Sequence, residues 1–313
     1  MHNHPTPKFS IITVTYNAEA VLEDTIQSVI SQTYHHVEYI IVDGASKDST
    51  LSIIDRYRDR ITRIVSEPDK GLYDAMNKGI CLATGDYLCF LNAGDSFHED
   101  DTLQQMVRSI SGNELPDVLY GETELVDKEG HFIRMRRLAA PEVLTWRSFK
   151  QGMLVCHQAF FAKASLVEPY DLQYRFSADF DWCIRVMKKA RTLHNTHLTL
   201  IDYLEEGMTT QNRQASLRER FRIMQQVGMT PKEVKATIRT QVLLMFFLPL
   251  VTAAIHIAFA FPLIKQIVFA FGLQNVHLFL LCTLGTFGVF ALLYTFVYLL
   301  TARTYYRIVR MTD

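Results

Sequence analysis

The sequence "YLCFLNAGDSF", residues 87–97, changes from an apolar run to small residues and a single acid. Its first five residues have the length and composition of a buried strand. Asp95 follows where that strand would end, with Asn92 and Gly94 at positions where further carboxylates could stand. An acid in this setting suits a hard divalent cation whose other ligands are diphosphate oxygens and water. The stretch therefore predicts a sheet edge that binds a charged ligand.

Repeated strand and helix patterns surround this stretch from residue 9 to about residue 230. The predicted strands are 9–16, 37–43, 61–67 and 86–92, and the predicted helices between them are 18–32, 46–59 and 71–84. Such β-α units predict an α/β fold with an open, mainly parallel sheet, whose ligand lies beyond the carboxyl ends of the strands. Polar residues follow each strand at that edge: Thr15, Tyr16, Asn17, Asp43, Glu67 to Lys70, and Asp95.

Several functional classes are excluded by missing patterns. No G-x-G-x-x-G follows the first strand and no G-x-x-x-x-G-K-[ST] is present, so neither a dinucleotide fold nor a P-loop is indicated. The net charge of -1 gives no support for nucleic acid as a partner. The five cysteines are scattered without a C-x-x-C pair, which indicates a reduced compartment and neither a disulfide framework nor a zinc site.

Hydrophobicity is concentrated near the C-terminus. Two stretches lack Asp, Glu, Lys and Arg, and each is long enough for the roughly 20 residues that cross a bilayer core. We predict two transmembrane helices, near 242–264 and 276–300, within a hairpin over 241–302. The alternative is a helical hairpin buried in a soluble domain, but helices of this length normally carry a polar face there.

Basic residues flank this hairpin on both sides. A juxtamembrane segment, 231–240, precedes it and a basic tail, 303–313, follows it, whereas Lys265 alone lies between the spans. The positive-inside rule then places both ends in the cytoplasm. The sequence predicts a multi-pass protein of the inner (cytoplasmic) membrane, with residues 1–230 forming a catalytic domain on the cytoplasmic side.

Four motifs in order resemble family 2 inverting glycosyltransferases of the GT-A fold. They are "SIITVTYNAEAVLEDTIQSVISQTY", "YIIVDGASKDST", "DKGLYDAMNKGICLATGDYLCFLNAGD" and "SADFDWCIR", and the resemblance covers most of residues 8–200. Within the family the chain is most similar to bacterial enzymes that build capsule or exopolysaccharide repeat units. The resemblance implies inverting transfer from a nucleotide-diphospho-sugar, with Mn²⁺ or Mg²⁺ as cofactor.

The resemblance also implies roles for particular residues around the donor. Asp43 matches the acid that recognises the base, and Asp95 matches the last acid of the D-x-D motif, which contacts the metal. Because Asn92 and Gly94 replace acids of that motif, metal binding is expected to rest on Asp95 alone. The remaining donor-binding positions implied by the family are Thr15, Tyr16, Asn17, Asp69, Lys70 and Asn77.

Asp179 in "SADFDW" matches the family's catalytic base, which takes the acceptor hydroxyl's proton as that hydroxyl attacks. The alternative for Asp179 is an N-cap of the helix that follows, with Asp181 as a first-turn acid. His157 and Gln158 are candidates to border the acceptor or the leaving phosphate, and Asp181 is a further secondary candidate there. For His157 we prefer the alternative of a buried, hydrogen-bonded histidine.

The predicted acceptor is a glycan on a polyprenyl carrier, because a membrane hairpin would bring enzyme and lipid-linked acceptor together. Two alternatives stay open: a polyprenyl-phosphate sugar synthase acting on the bare lipid phosphate, and a catalytically inactive membrane scaffold. Membrane lipid is an expected partner, and a homo-oligomer is left open. The sequence does not fix the sugar, the base or the linkage.

Overall fold

The computed structural model describes residues 6–112, 114–205, 213–228, 247, 249, 251–262, 266 and 276–310. The chain divides into two compact units, Met1–Arg220 and Phe221–Asp313. The predicted juxtamembrane segment 231–240 and most of the predicted loop between the two spans lie outside the described residues.

The first unit is built on a nine-stranded sheet. Its strands are β1 (Phe9–Thr15), β2 (Val37–Asp43), β3 (Arg63–Ser66), β4 (Tyr87–Phe90), β5 (Ser96–Phe97), β6 (Val118–Val126), β7 (Phe132–Met135), β8 (Phe160–Lys163) and β9 (Leu193–Leu204). Its helices are α1 (Leu22–Ile30), α2 (Thr50–Arg56), α3 (Leu72–Leu82), α4 (Thr102–Ser109) and α5 (Ala178–Lys189), followed by α6 (Arg213–Gln226), which reaches the second unit.

The sheet order is β3-β2-β1-β4-β8-β6-β9-β5, with β7 paired to β6. The strands β3, β2, β1 and β4 are parallel, as predicted. The second half is mixed, because β8 runs antiparallel to both β4 and β6 while β9 runs parallel to β6. The predicted α/β fold class is confirmed, and the antiparallel pairs are an addition that the sequence pattern did not indicate.

The core forms around the two central strands, which are almost wholly buried. All seven residues of β1 are buried, and only the first residue of β2 is not. Strands that are covered on both faces are rich in apolar residues, as in "FSIITVT" and "VEYIIVD", where the buried Ser10 and Glu38 are hydrogen-bonded to each other. Because these strands are rigidly packed, the residues directly after them are held in fixed positions.

The second unit contains apolar helices. The helix Val276–Arg310 includes Leu280–Thr301, 22 residues that are long and apolar enough to cross a membrane. It covers the predicted second span and continues to Arg310 in the predicted tail. Within the predicted first span, 242–264, the described residues include an apolar helix, Val251–Pro262, and most of the remainder of that span lies outside the described residues. Within this unit the rings of Phe247 and Tyr298 lie 5.8 Å apart.

Candidate active site

Three strand ends lie side by side at the carboxyl edge of the parallel strands. Thr15 pairs with Asp43, and Asp43 pairs with Ser66, so the last residues of β1, β2 and β3 are neighbours in register. The Gly44 amide continues this ladder by donating to the Thr15 carbonyl at 2.9 Å. Asn92 follows β4, the other neighbour of β1. Polar residues from four segments therefore meet at this edge.

Asp43 is fully buried at the end of β2. Its carboxylate accepts hydrogen bonds from the Ser46 amide at 3.0 Å and the Ser66 hydroxyl at 2.6 Å, and also from the Ser46 hydroxyl. A carboxylate offers about four acceptor positions, of which these donors use three. The acid is thus oriented by its own strand end and keeps limited capacity for a further N–H donor.

The loops after β1 and β2 are joined by two hydrogen bonds of Asn17. Asn17 Oδ1 accepts from the Lys47 amide at 2.9 Å, and the Asn17 amide donates to Ser46 Oγ at 2.8 Å. Asn17 and Ala45 adopt positive φ angles of 50° and 60°. Non-glycine residues persist in this costly conformation only where their surroundings fix it, which is common at binding sites. Asn17 therefore shapes the carboxyl edge rather than presenting a free side-chain oxygen.

Tyr16 and Asp69 approach each other over Gly44. A Cβ on Gly44 would overlap Asp69 Oδ2 and would lie 3.3 Å from Tyr16 Cδ2, so only glycine fits between them. Asp69 Oδ1 accepts from the Gly71 amide at 2.8 Å, which fixes the loop before α3. The Tyr16 side chain is 58% exposed, and Lys70 is exposed beside Asp69. These residues form an open rim with an aromatic ring and a cation.

Two buried oxygens at this edge have no hydrogen-bond partner among the described residues. They are Thr15 Oγ1, at the end of β1, and Asn92 Oδ1, in the turn after β4. Buried polar atoms are normally paired, and an unpaired one in a native structure calls for a ligand, ion or water. Both atoms lie beyond neighbouring strands, where the candidate site was predicted.

Asp95 is held in the turn after β4 by its backbone. Its amide donates to the Asn92 carbonyl at 3.0 Å, and its carbonyl accepts from Thr25 Oγ1 at 2.8 Å. Gly94 has a φ of +102°, a conformation that favours glycine over the acid found there in the family's usual motif. The backbone of this turn is therefore fixed before any ligand binds.

The Asp95 carboxylate is 4% exposed and has only neutral partners. Oδ1 accepts from the Leu204 amide at 3.2 Å, and Oδ2 accepts from Gln158 Nε2 at 2.9 Å. Burial raises the pKa of Asp95 to about 7, although both hydrogen bonds lower it. A buried acid without a positive partner among the described residues is electrostatically suited to receive a cation.

The side chains of Gln158 and His157 are both hydrogen-bonded within the protein. The Gln158 side chain links Asp95 to Cys156, whose thiol donates to Oε1 at 3.0 Å. His157 Nε2 contacts the Tyr170 hydroxyl at 2.6 Å, and its ring stacks on Phe90. Burial lowers the pKa of His157 to about 4, so the imidazole is neutral at physiological pH. Both residues are buried, and His157 has the hydrogen-bonded character of the alternative considered for it.

Asp179 lies in the first turn of α5 and accepts a hydrogen bond from the Tyr73 hydroxyl at 3.0 Å. The residue before the helix is Ser177, so the alternative that made Asp179 the N-cap is wrong. Asp179 and Asp95 act on the same side chain: burial and then the charges of both acids raise the pKa of Tyr203. Both predicted acids therefore act electrostatically on one tyrosine.

Asn77 and Asp181 have their polar atoms engaged by other parts of the protein. Asn77 donates to the Tyr170 carbonyl at 3.0 Å and accepts from the Tyr170 amide at 2.7 Å. Both ends of its amide are used by Tyr170, and the role of Asn77 at the donor stays a prediction. Asp181 accepts from Arg185 Nε at 2.7 Å, one turn along α5, so it is part of an ion pair.

Sequence reasoning missed Tyr73 and Leu204. Tyr73 lies one helical turn before Asn77 on α3, and this i, i+4 spacing places both on the face that meets the segment around Tyr170 and Asp179. That spacing could have identified Tyr73. Leu204 contributes a backbone amide to Asp95 across a long sequence separation, and no side-chain pattern reports such a contact.

Comparison with known proteins places the chain in a family. Residues 10–168 match Glycosyl transferase family 2. The PGL/p-HBAD biosynthesis glycosyltransferase of Mycobacterium bovis is 36% identical over 208 residues, 64% of this chain and 78% of that protein. TuaG of Bacillus subtilis, a glycosyltransferase assigned to teichuronic acid biosynthesis, is 38% identical over 103 residues, 32% of this chain and 41% of that protein. The chain belongs to glycosyl transferase family 2 and is a glycosyltransferase.

Solved structures share the fold. Residues 1–349 of S. aureus TarS in complex with UDP-GlcNAc align with a TM-score of 0.59 at 16% identity, covering 74% of this chain and 71% of that one. The mannosyltransferase PcManGT of Pyrobaculum calidifontis, in complex with GDP-Man and Mn²⁺, aligns with a TM-score of 0.54 at 18% identity, covering 96% and 87%. At these identities the likeness establishes the fold, and the predicted GT-A class is confirmed.

Proposed function

We propose that the protein transfers a sugar from a nucleotide-diphospho-sugar, with inversion, to a polyprenyl-linked glycan acceptor in surface polysaccharide synthesis. The observation that carries this proposal is the buried Asp95 carboxylate, which has no cationic partner among the described residues and whose charge reaches the same tyrosine as that of Asp179. An acid that binds the cation and a second carboxylate that accepts the proton are the minimum that such a transfer needs.

The carboxyl edge of β1 to β3 is assigned to the donor's nucleotide. The exposed Tyr16 ring can pack on a base, and Asp43 keeps one acceptor position for a base N–H. Lys70 supplies a point charge for phosphate. Solved structures of the same fold that hold UDP-GlcNAc and GDP-Man support a nucleotide-sugar donor.

The turn after β4 is assigned to the cation. Asp95 offers a carboxylate oxygen and Asn92 Oδ1 is a buried amide oxygen without a partner, and oxygen donors of this kind suit Mg²⁺ and Mn²⁺. A cation held there would neutralise charge on the leaving diphosphate. We therefore propose Asn92 as a second ligand beside Asp95, which the sequence alone predicted as the only one.

Asp179 is assigned to the catalytic base. The acceptor oxygen attacks the anomeric carbon, the bond from that carbon to the diphosphate oxygen breaks, and the hydroxyl proton passes to the Asp179 carboxylate. The Tyr73 hydroxyl donates to Oδ1 and fixes the orientation of the carboxylate, which leaves Oδ2 for the acceptor. Asp179 is partly exposed, as an acid that receives a proton from an incoming substrate must be.

The proposed acceptor is anchored in a membrane. The helix that includes Leu280–Thr301 supports membrane association, and the similarity to TuaG supports surface polysaccharide synthesis. The proposal includes the domain organisation predicted from the sequence. It comprises a catalytic domain over 1–230 in the cytoplasm, a basic segment at 231–240, two spans within 241–302 and a basic tail at 303–313. A multi-pass protein of the inner membrane would hold the site beside a lipid-linked acceptor.

Transfer assays with purified full-length protein test the proposal. UDP- and GDP-sugars are supplied with Mn²⁺ and with either a polyprenyl-diphosphate glycan or bare polyprenyl phosphate. The proposal expects a product only on the lipid-linked glycan, loss of turnover with EDTA, and loss in Asp179→Asn. Glycosylation of bare polyprenyl phosphate would identify a polyprenyl-phosphate sugar synthase instead. Turnover that persists in Asp179→Asn and with EDTA would overturn the assigned chemistry.

A further inference from the structure

A second cluster of potential metal ligands lies outside the residues assigned above. It consists of His98, which follows β5, Glu124 in β6 and Asp202 in β9, and all three are partly buried. Register brings them together, because Asp202 pairs with both Ser96 and Glu124. The cluster therefore joins three strands that are distant in sequence.

The ligand atoms of this cluster face one another at short range. His98 Nδ1 lies 2.7 Å from Asp202 Oδ1 and 3.7 Å from Glu124 Oε1, and the three ligand atoms are all within 4.8 Å of one another. In tetrahedral coordination with metal–ligand distances of about 2.0–2.1 Å, ligand atoms are separated by about 3.3 Å. The observed distances bracket that separation, so small rotations of side chains would accommodate an ion.

The charges of the cluster are not balanced by its own members. Burial and then the charge of Asp202 raise the pKa of Glu124. His98 is exposed to the negative charges of Asp202, Glu124 and Glu99, which raise its pKa against the lowering effect of burial. Even a protonated His98 leaves an excess of negative charge among these groups. A divalent cation would remove that excess more completely than a proton can.

We propose that His98, Glu124 and Asp202 bind one divalent transition-metal cation of the Zn²⁺ or Mn²⁺ type. An imidazole nitrogen with two carboxylate oxygens favours these ions over Mg²⁺ and Ca²⁺, which prefer oxygen ligands throughout. Three protein ligands leave one position for water, as in open three-ligand sites. This site is distinct from the one assigned to Asp95 and does not depend on the proposed function.

The proposed ion would stabilise the strand that orients Asp95. Asp202 lies two residues before Leu204, whose backbone amide donates to Asp95 Oδ1. His98 lies three residues after Asp95, and its amide donates to the Leu200 carbonyl at 3.1 Å. An ion that binds His98, Glu124 and Asp202 would therefore restrain Asp95 in two ways. It would hold the segment that follows Asp95, and it would hold the part of β9 whose Leu204 amide donates to Asp95.

Cation binding to the full-length protein, without nucleotide, tests this proposal. EDTA-treated protein is dialysed against Zn²⁺ or Mn²⁺, and bound metal is measured by elemental analysis together with the shift in Tm. The informative variant is Glu124→Gln, which leaves the bond between His98 and Asp202 intact. The control is His131→Ala, in the exposed cluster of Asp127, Glu129 and His131.

The metal content is compared in the Asp95→Asn background, which removes the carboxylate assigned to the donor cation. There we expect about one equivalent of metal with or without His131→Ala, and an affinity at least roughly tenfold lower with Glu124→Gln. His98→Asn should lower affinity similarly. Absence of saturable binding in the wild type would overturn the proposal. So would equal affinity in Glu124→Gln and His98→Asn, or loss of binding in His131→Ala or in Asp95→Asn.

Discussion

The side-chain amide of Gln158 donates a hydrogen bond of 2.9 Å to Asp95 Oδ2, and no positively charged group among the described residues shares that carboxylate. Neutral donors fix the direction of an acid without neutralising it. Because Asp95 is buried, its negative charge is costly unless a proton or a cation accompanies it. This relationship underlies the assignment of Asp95 to cation binding, and most of the following predictions derive from it.

Replacing Asp95 by Asn should abolish turnover with little loss of fold stability. The amide has nearly the same shape but lacks the charge that a cation needs, so we expect a fall in kcat/KM of about 10²–10³-fold. Sugar transfer and Tm are measured in parallel, with Asp55→Asn as an exposed control whose carboxylate pairs with Arg58. Activity close to the wild type in Asp95→Asn, or a large fall in its Tm, would mean that the residue is structural.

Asp95 should also make stability depend on pH in a particular direction. Its folded pKa of about 7 is above its ordinary value of 3.8, so the native state retains a proton that the unfolded state releases. Stability from this group is present below about pH 4 and is lost as pH rises towards 7. Urea unfolding at pH 5 and pH 8 should therefore show a decline in the wild type that is smaller in Asp95→Asn. An equal decline in both would contradict the perturbed pKa.

Asp179→Asn should lower kcat by about 10²–10⁴-fold while donor affinity stays unchanged, because a general base acts in the chemical step. Tyr73→Phe removes only the hydrogen bond that orients Asp179, so its effect on kcat should have the same direction and a smaller size. Single-turnover rates and nucleotide Kd values separate the two quantities. Weaker donor binding with an unchanged chemical step in Asp179→Asn would assign this acid to the donor instead.

Gly44→Ala should raise the KM for the donor. The added Cβ would overlap Asp69 Oδ2 and press on Tyr16. Overpacking of this kind costs about 1–3 kcal/mol, which corresponds to a change of roughly 5- to 150-fold. Gly85→Ala is a matched control, because its added Cβ would lie 2.6 Å from Ser10 Oγ. Ser10 is near the start of β1, at the opposite end from the candidate site. That control should lose stability with the donor KM unchanged. Equal KM values for the donor in the two variants would show that Asp69 and Tyr16 do not contribute to donor binding.

Glu38 should supply stability that is lost in acid. Burial alone would raise its pKa, but hydrogen bonds from Lys8, Ser10 and Thr84 outweigh burial and lower the pKa to about 2. A folded pKa below the unfolded one gives stabilisation above about pH 4.5 that is lost as pH falls towards 2. Glu38→Gln should cost roughly 2–3 kcal/mol at pH 7 and almost nothing at pH 2, as measured by urea unfolding.

The sequence was most informative where structure is local. The short stretches rich in β-branched and apolar residues that end near Thr15 and Asp43 predicted two of the strands within one residue of their observed ends. Parallel packing then brought the polar residues at these ends to one edge. Helix boundaries were less accurate: the helix predicted over 46–59 is a regular α-helix only over Thr50–Arg56, because Asn17 and Ser46 hold the preceding loop in other contacts.

Contacts between distant segments could not be read from patterns. The antiparallel pairing of β8 with β4 and β6 depends on strands that the alternation of residues does not order. Asn77 matched a family position, but only the folded chain shows that its amide is used on both sides by Tyr170. Similarly, the Leu204 amide that orients Asp95 belongs to a residue whose apolar side chain gives no functional signal.

Nucleotide binding measured with and without Mn²⁺, in the wild type and in Asp95→Asn, tests the central claim most directly. Isothermal titration of the purified full-length protein with UDP and with GDP gives the dissociation constants without any need for an acceptor. The account predicts that Mn²⁺ strengthens binding of one nucleotide to the wild type by at least roughly tenfold, about 1.4 kcal/mol, and has no such effect in Asp95→Asn. An equal effect of Mn²⁺ in both proteins, or none in the wild type, would contradict it.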